Sequence, residues 1–204
     1  MELFFSPLSC SLASRITMYE AGIDAAYTRV DGKTKTTSDG RNYLDINPRG
    51  QVPAIRTNEG EILTENVSVL EYLADLAPKA GLAPTGIERT RMRKWLAFIN
   101  SEVHVGAFSA IFSSAAPPEA KTYAIERVQK ALAHVDRHLA GREWLTNSFS
   151  IADVYLSVVG NWLQATPIKL ADFPNIAALQ GRVFSRPAAG KAVAEELALY
   201  RAAA

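Results

Sequence analysis

Cysteine is almost missing from this chain: Cys10 is the only one in 204 residues. No internal disulfide can form, which excludes a secreted scaffold stapled by cystines and fits a reducing compartment. An excess of charge is missing too. Twenty-two Lys and Arg stand against 21 Asp and Glu, so there is no basic footprint for nucleic acid and none for an anionic membrane. No uncharged apolar run nears the ~20 residues that cross a bilayer. The apolar start, Met1 to Phe5, lacks the basic segment that opens a signal peptide and is broken at Ser6 and Pro7. These absences set the expectation of a cytoplasmic protein that recognises its partners by shape and a few local groups. What is present, 48% hydrophobic and 21% charged residues, is the balance of a folded chain with a sizeable core.

The order of elements changes once along the chain. Leu3 to Phe5 predicts a short buried strand ended by Ser6-Pro7-Leu8-Ser9. Leu12, Ile16 and Tyr19 then recur at helical spacing over Ser11 to Ala21, with Gly22 placed for a left-handed cap. Tyr27 to Val30 predicts a second strand, and strand-helix-strand is the crossover unit of a parallel sheet. Asp31 to Gly40 is a polar loop, followed by a short helix near Asn42 to Asp45. The turn Asn58-Glu59-Gly60-Glu61 makes Val52 to Arg56 and Ile62 to Leu63 an antiparallel pair. A helix over Val67 to Ala77 is stopped by Pro78. From Glu88 on the pattern is helical only, over Glu88 to about Phe112, Glu119 to Leu139, Ile151 to Leu163, Ile176 to Phe184 and Ala188 to Tyr200. Charge divides at the same place. Residues 1–80 carry eight Lys and Arg against eleven Asp and Glu, and the remainder fourteen against ten. The expectation is an α/β domain over residues 1–80, a linker at Pro84 to Gly86, and an all-α domain over 87–204.

Five places could carry chemistry. Cys10 opens the first helix, where backbone N–H groups and the helix dipole favour a thiolate and lower its pKa. A small buried residue is the other reading of a lone Cys. With no second thiol nearby, Cys10 cannot close a disulfide on its own chain, and a separate small thiol must resolve it. Val52-Pro53 stands at a strand entrance, a candidate cis bond that would turn the Val52 N–H and C=O outward toward an extended peptide; an ordinary trans bond is the alternative. Glu65 and Asn66 begin a helix, where they suit either the ammonium of an amino-acid head group or simple capping. His104 lies on a stripe with Ala97, Ser101, Phe108 and Ile111 at spacings of three and four, and reads either as a site residue or as a packed histidine. His134 and His138 could both touch a metal, but no ligand set completes them; they read as surface residues. Ser150 and Asp153 form a capping box, a structural device.

Together these segments resemble the cytosolic glutathione S-transferases over nearly the full length, and most closely the bacterial beta class. Ser6-Pro7-Leu8-Ser9-Cys10-Ser11-Leu12-Ala13 is similar to the opening motif of that class. Asn47-Pro48-Arg49-Gly50-Gln51-Val52-Pro53-Ala54 is similar to the cis-Pro signature. Leu63-Thr64-Glu65-Asn66 resembles the γ-glutamyl-binding segment and Ser101-Glu102-Val103-His104 the helix motif with the site His. The resemblance implies a thioredoxin-like N-terminal domain, an all-helical C-terminal domain and a homodimer, with glutathione as cosubstrate and no permanently bound cofactor. It implies that Cys10 lies beside the glutathione sulfur and can form a mixed disulfide with it. Val52, with Pro53, would pair with the cysteinyl backbone. Glu65 and Asn66 would hold the γ-glutamyl end, Lys35 and Gln51 the glycyl end, and His104, with Ser101 in its motif, would act from the helical wall. Asn66 stands where the family usually has Ser, and Phe4 and Phe5 leave no Tyr near the first strand for the tyrosine-activated version of the chemistry. Small apolar electrophiles would meet a wall of Phe108, Ile111, Phe112 and Trp162. The expected activity is conjugation of the glutathione thiol to such electrophiles, with thiol exchange or peroxide reduction through Cys10. A dedicated disulfide reductase and a noncatalytic binding module are the alternatives.

Overall fold

The computed structural model describes residues 1–202, which fall into two compact units: residues 1–83 with 184–202, and Pro84–Val183. The first unit is built on β1 (Glu2–Phe5), β2 (Ala26–Arg29), β3 (Ala54–Arg56) and β4 (Ile62–Thr64) in the order β2-β1-β3-β4. β1 runs parallel to β2 and antiparallel to β3, which pairs antiparallel with β4. The sheet is thus the mixed one expected, and the crossover between β1 and β2 is α1 (Ser11–Ala21), closed by Gly22 in the left-handed conformation. α2 (Asn66–Leu76) follows β4.

β1 alternates its side chains between two cores. Leu3 and Phe5 pack with Met18, Ile55, Val69 and Leu73 on one face of the sheet. Phe4 packs with Val30, Tyr43 and Ala54 on the other. A strand covered on both faces needs the apolar run that the sequence shows.

The last helix differs from its expected place. α8 (Pro187–Ala202) belongs with the sheet, not with the helices of the second unit. Leu199 packs on the Leu3 core, and Arg15 of α1, only 7% exposed, donates to Glu195 at 2.7 Å. Two short-range helical patterns separated by a turn cannot reveal which neighbour each will cover.

The second unit holds α3 (Gly86–Phe98), α4 (Ser109–Ile111), α5 (Pro118–Leu139), α6 (Ile151–Asn161) and α7 (Pro174–Phe184). The single helix expected from Glu88 to Phe112 is not one α-helix. Its middle, Ile99–Phe108, is a π-helix, a wider turn that concentrates at functional positions. Gly106 makes it possible: a Cβ there would sit 2.0 Å from the Ser101 carbonyl oxygen and 3.2 Å from Arg127 Nη2. α6 is buried along Ile151–Gly160 and starts from a complete capping box. Asp153 Oδ2 accepts from the Ser150 N–H at 2.8 Å and from its hydroxyl at 3.0 Å, and Oδ1 accepts from the Leu145 N–H at 2.8 Å. Burial pushes the Asp153 carboxyl up to about 6 against those bonds. His138 is not the surface residue expected, since its Nε2 lies 2.9 Å from the Leu145 carbonyl and its ring 4.5 Å from Trp95. Among the described residues no helix is long and apolar enough to cross a membrane.

Gly106→Ala should destabilise the protein by about 1–3 kcal/mol, because the obstacle is backbone and cannot move aside cheaply. Wild-type urea unfolding of that variant would contradict the account of the π-turn. Asp153→Ala strands three buried donors and should cost about 2–4 kcal/mol by the same measurement; a loss under half a kilocalorie would show the box to be dispensable.

Candidate functional site

The loop between β1 and α1 carries Cys10 and is tied internally by serine hydroxyls. Ser9 Oγ and Ser11 Oγ are 2.7 Å apart, the Ser6 N–H donates to Ser11 Oγ at 3.2 Å, and Ser11 Oγ donates to the Ser6 carbonyl at 3.2 Å. From α8, Glu196 Oε2 accepts the Leu8 N–H at 2.8 Å, which holds Leu8 in the left-handed conformation at φ +60. These partners lie close in sequence or, for Glu196, 188 residues away; only the first kind could have been suspected from the motif.

Cys10 is buried, and its thiol donates to the Val52 carbonyl at 3.3 Å. The expectation of a thiolate is overturned. Desolvation pushes the thiol up to about 12; the backbone N–H groups of Cys10 and Ser11 act downward, as the helix position suggests, while the Glu196 and Glu65 carboxylates act upward. A low-dielectric surround costs the charged form more than two N–H groups return. Cys10 is therefore a protonated hydrogen-bond donor in the ligand-free protein.

The Val52-Pro53 bond is cis. The ladder of β3 begins at Ala54, so Val52 stands outside it. The preceding carbonyl, that of Gln51, is held by the Tyr43 hydroxyl at 2.7 Å and by Asn47 Nδ2 at 2.8 Å. Tyr43 was not singled out by the sequence, although Asn47 lies in the signature segment. Lys35, itself at φ +57, donates to the Gly50 carbonyl at 2.9 Å. Gly50 lies at φ +62, and a Cβ there would crowd Lys35 and Leu44 at 3.1 Å. Lys35 and Gln51 are thus set on neighbouring loops around Gly50, and the Gln51 side chain is exposed.

Glu65 and Asn66 do not cap α2 with their side chains, so the simpler of their two readings fails. Glu65 sits at φ +66 with no side-chain cap bond, a conformation that costs a non-glycine residue free energy and recurs at ligand clamps. Its carboxylate accepts from Arg49 at 3.0 Å, an exposed pair that contributes little stability. Asn66 is 6% exposed; its Oδ1 accepts from the Ser14 hydroxyl at 3.4 Å, and its Nδ2 is buried without a hydrogen-bond partner. A buried amide with unused donors is costly unless something else receives them.

In the second unit His104 lies on the π-segment. Its ring meets Trp162 at 5.1 Å and Tyr155 at 5.9 Å, both edge to face. Phe108 stacks on Phe112 at 5.4 Å and meets Trp162 at 5.3 Å. Phe112 remains 49% exposed. His104, Phe108, Phe112 and Trp162 therefore form one aromatic group, and Ile111 is half-buried at the end of α4. Ser101 departs from the expected stripe. It is exposed, with its hydroxyl donating to Glu102 at 3.2 Å, because residues three apart do not share a face on the wider π-turn. Burial depresses His104 to about 4, so the imidazole is neutral at physiological pH.

Comparison with known proteins decides the family. The glutathione S-transferase N-terminal domain matches residues 9–76 and the glutathione S-transferase C-terminal domain residues 93–187. Glutathione S-transferase GstA of Escherichia coli O157:H7 is 38% identical over 96% of this chain and 98% of its own length. The chain belongs to the glutathione S-transferase family. A sphingomonad glutathione S-transferase solved in complex with glutathione shares 42% identity, with a TM-score of 0.92 over 96% of this chain and 98% of the other. The bacterial beta class glutathione S-transferase of Sphingomonas chungbukensis shares 39%, also with a TM-score of 0.92 and the same coverage. This glutathione S-transferase accordingly has the thioredoxin-like mixed sheet and helical second domain that the motifs implied. Among its described residues His134 and His138 join no group of three metal-ligating side chains.

The ligand-free transferase should show the raised thiol directly. Alkylation of Cys10 by iodoacetamide should keep accelerating with pH well past ~8.5, the ordinary thiol value; a plateau near that value would contradict the burial argument. Since the folded state holds this proton more tightly than the unfolded chain, stability from Cys10 is present below pH ~8.5 and declines as pH rises toward 12.

Proposed function

We propose that this member of the family is a glutathione transferase that conjugates the tripeptide thiol to small hydrophobic electrophiles, with Cys10 as the hydrogen-bond donor to the glutathione sulfur. The protonated, buried Cys10 thiol aimed at the Val52 carbonyl is the observation that carries this reading. A thiol of pKa near 9 is only a few per cent ionised at neutral pH, and each unit of depression gains almost tenfold in thiolate. A donor that stays protonated stabilises a neighbouring thiolate, which a competing thiolate would repel. Cys10 would exchange its Val52 acceptor for the ligand sulfur, freeing the Val52 carbonyl to pair with the cysteinyl N–H of the tripeptide beside the cis Pro53.

In the same reading Glu65 receives the γ-glutamyl ammonium in exchange for Arg49, and the unsatisfied Nδ2 of Asn66 donates to the γ-glutamyl carboxylate. Lys35 and Gln51 serve the glycyl carboxylate. On the helical unit, His104 supplies the base without Ser101, which the π-turn turns to solvent, and Phe108, Ile111, Phe112 and Trp162 offer apolar surface to the electrophile. A mixed disulfide at Cys10 forms by exchange with oxidised glutathione: the Cys10 sulfur bonds one glutathionyl sulfur, the other leaves as a thiolate, and the Cys10 proton goes to solvent or to that leaving group. The high thiol pKa weighs against a dedicated disulfide reductase, whose attacking thiol works best with a pKa near ambient pH. We place the protein in the cytoplasm as a homodimer, on the single reduced thiol and the family resemblance.

Millimolar glutathione should raise the unfolding temperature, as a ligand of the native state must. Cys10→Ala should abolish adduct formation with oxidised glutathione, read by mass spectrometry, and should lower but not abolish conjugation of a chloronitrobenzene substrate. Absence of thermal protection, together with no turnover of any electrophile, would sink the proposal.

A further inference from the structure

His104 can act as a base only through a nitrogen that carries no hydrogen, and its neighbours decide which nitrogen that is. Nδ1 lies 2.6 Å from the Tyr155 hydroxyl. That hydroxyl also donates to Asn100 Oδ1 at 3.1 Å. A phenol has one hydrogen, and an amide oxygen can only accept. With the hydrogen committed to Asn100, the phenolic oxygen is left as an acceptor toward the imidazole.

We infer that Tyr155 is the positioning residue of His104: with Asn100 it fixes the ring as the Nδ1–H tautomer and makes Nε2 the basic nitrogen. The inference deepens the functional reading above and rests on it for the role of His104 in turnover. Three further observations agree. Tyr155 is fully buried in α6, so its hydroxyl sits on a rigid element. Asn100 and His104 both lie within the π-segment, four residues apart, and both reach the same hydroxyl. The edge-to-face contacts of the His104 ring with Tyr155 and Trp162 fix its plane. Because burial keeps the ring neutral, the Nε2 lone pair is available at physiological pH.

The direct test is nitrogen NMR of the histidine-labelled, full-length protein. Only three histidines are present, and the His104 signals are identified by their loss in His104→Gln. Nδ1 should appear as a pyrrole-type, hydrogen-bearing nitrogen and Nε2 as pyridine-type. Asn100→Leu removes the acceptor for the phenol hydrogen, which then turns to Nδ1 and inverts the tautomer. Tyr155→Phe keeps the packing, releases Nδ1, and should lower kcat at least about tenfold, on the scale of general-base effects, with KM for glutathione within about twofold. A pyridine-type Nδ1 in the wild-type protein would overturn the inference while leaving the transferase reading intact. An inverted ring in Asn100→Leu with wild-type kcat would overturn the positioning role and withdraw His104 from the proposed chemistry. Should Tyr155→Phe not fold, the wild-type spectrum and Asn100→Leu still decide the matter.

Discussion

β1 has no side turned to water. Leu3 and Phe5 are committed to the core shared with α1 and α2, Phe4 to the core shared with Tyr43, and each is 2% exposed or less. A register slip by one residue would exchange these faces and lose both. The end of the strand is therefore fixed, and with it the point from which the loop of Ser6 to Ser9 must turn back and deliver Cys10 to the head of α1. The Ser9 and Ser11 hydroxyls, bonded to each other and to the Ser6 backbone, and the Glu196 carboxylate shape that loop, but they act on a chain whose exit β1 has already set. The cis-Pro segment inherits its position the same way, since β3 pairs with β1 through Ala54, Ile55 and Arg56.

Burial then selects protonation states. Cys10 and His104 differ in chemistry, but desolvation has the same consequence for both: it keeps the neutral form of each. For Cys10 that means a donor, and for His104 a lone pair. A thiol pushed up to about 12, by burial first and by the Glu196 and Glu65 carboxylates as well, and an imidazole pushed down to about 4 by burial alone are both neutral at physiological pH and carry opposite hydrogen-bonding roles. The cost of such sites falls on the polar groups left without partners. Asn66 Nδ2 is one, and its buried position beside Ser14 is a local expense the surrounding core must offset.

The π-segment shows a different use of local geometry. A regular α-helix would bring residues three and four apart onto one stripe and would group Ser101 with His104 and Phe108. The wider turn, allowed by Gly106, sends Ser101 to solvent and keeps Asn100, His104 and Phe108 inward. The aromatic group of Phe108, Phe112 and Trp162 is the product of that rotation as much as of the residues themselves.

Most of the fold was legible in the chain. Short-range patterns determine strands and helices because they record which faces are apolar: the run Leu3 to Phe5, the period of α1, the turn at Asn58 to Glu61, and the cap at Ser150 and Asp153 all stood out and all formed. Cys10, Val52, Pro53 and the aromatic residues were also visible as chemical types in recognisable motifs. The state of Cys10, the place of α8, the π-turn and the Tyr155 contact were not. Three of these depend on a neighbour distant in sequence: Val52 and Glu196 for the thiol, the core around Leu3 for the last helix, Tyr155 for the imidazole; the π-turn depends on the backbone clearance at Gly106, which no periodicity records. A dielectric surround and a hydrogen-bond partner are properties of what tertiary packing brings close. The amino-acid sequence by itself determined which groups could react, and only the folded structure decided which of them hold a proton.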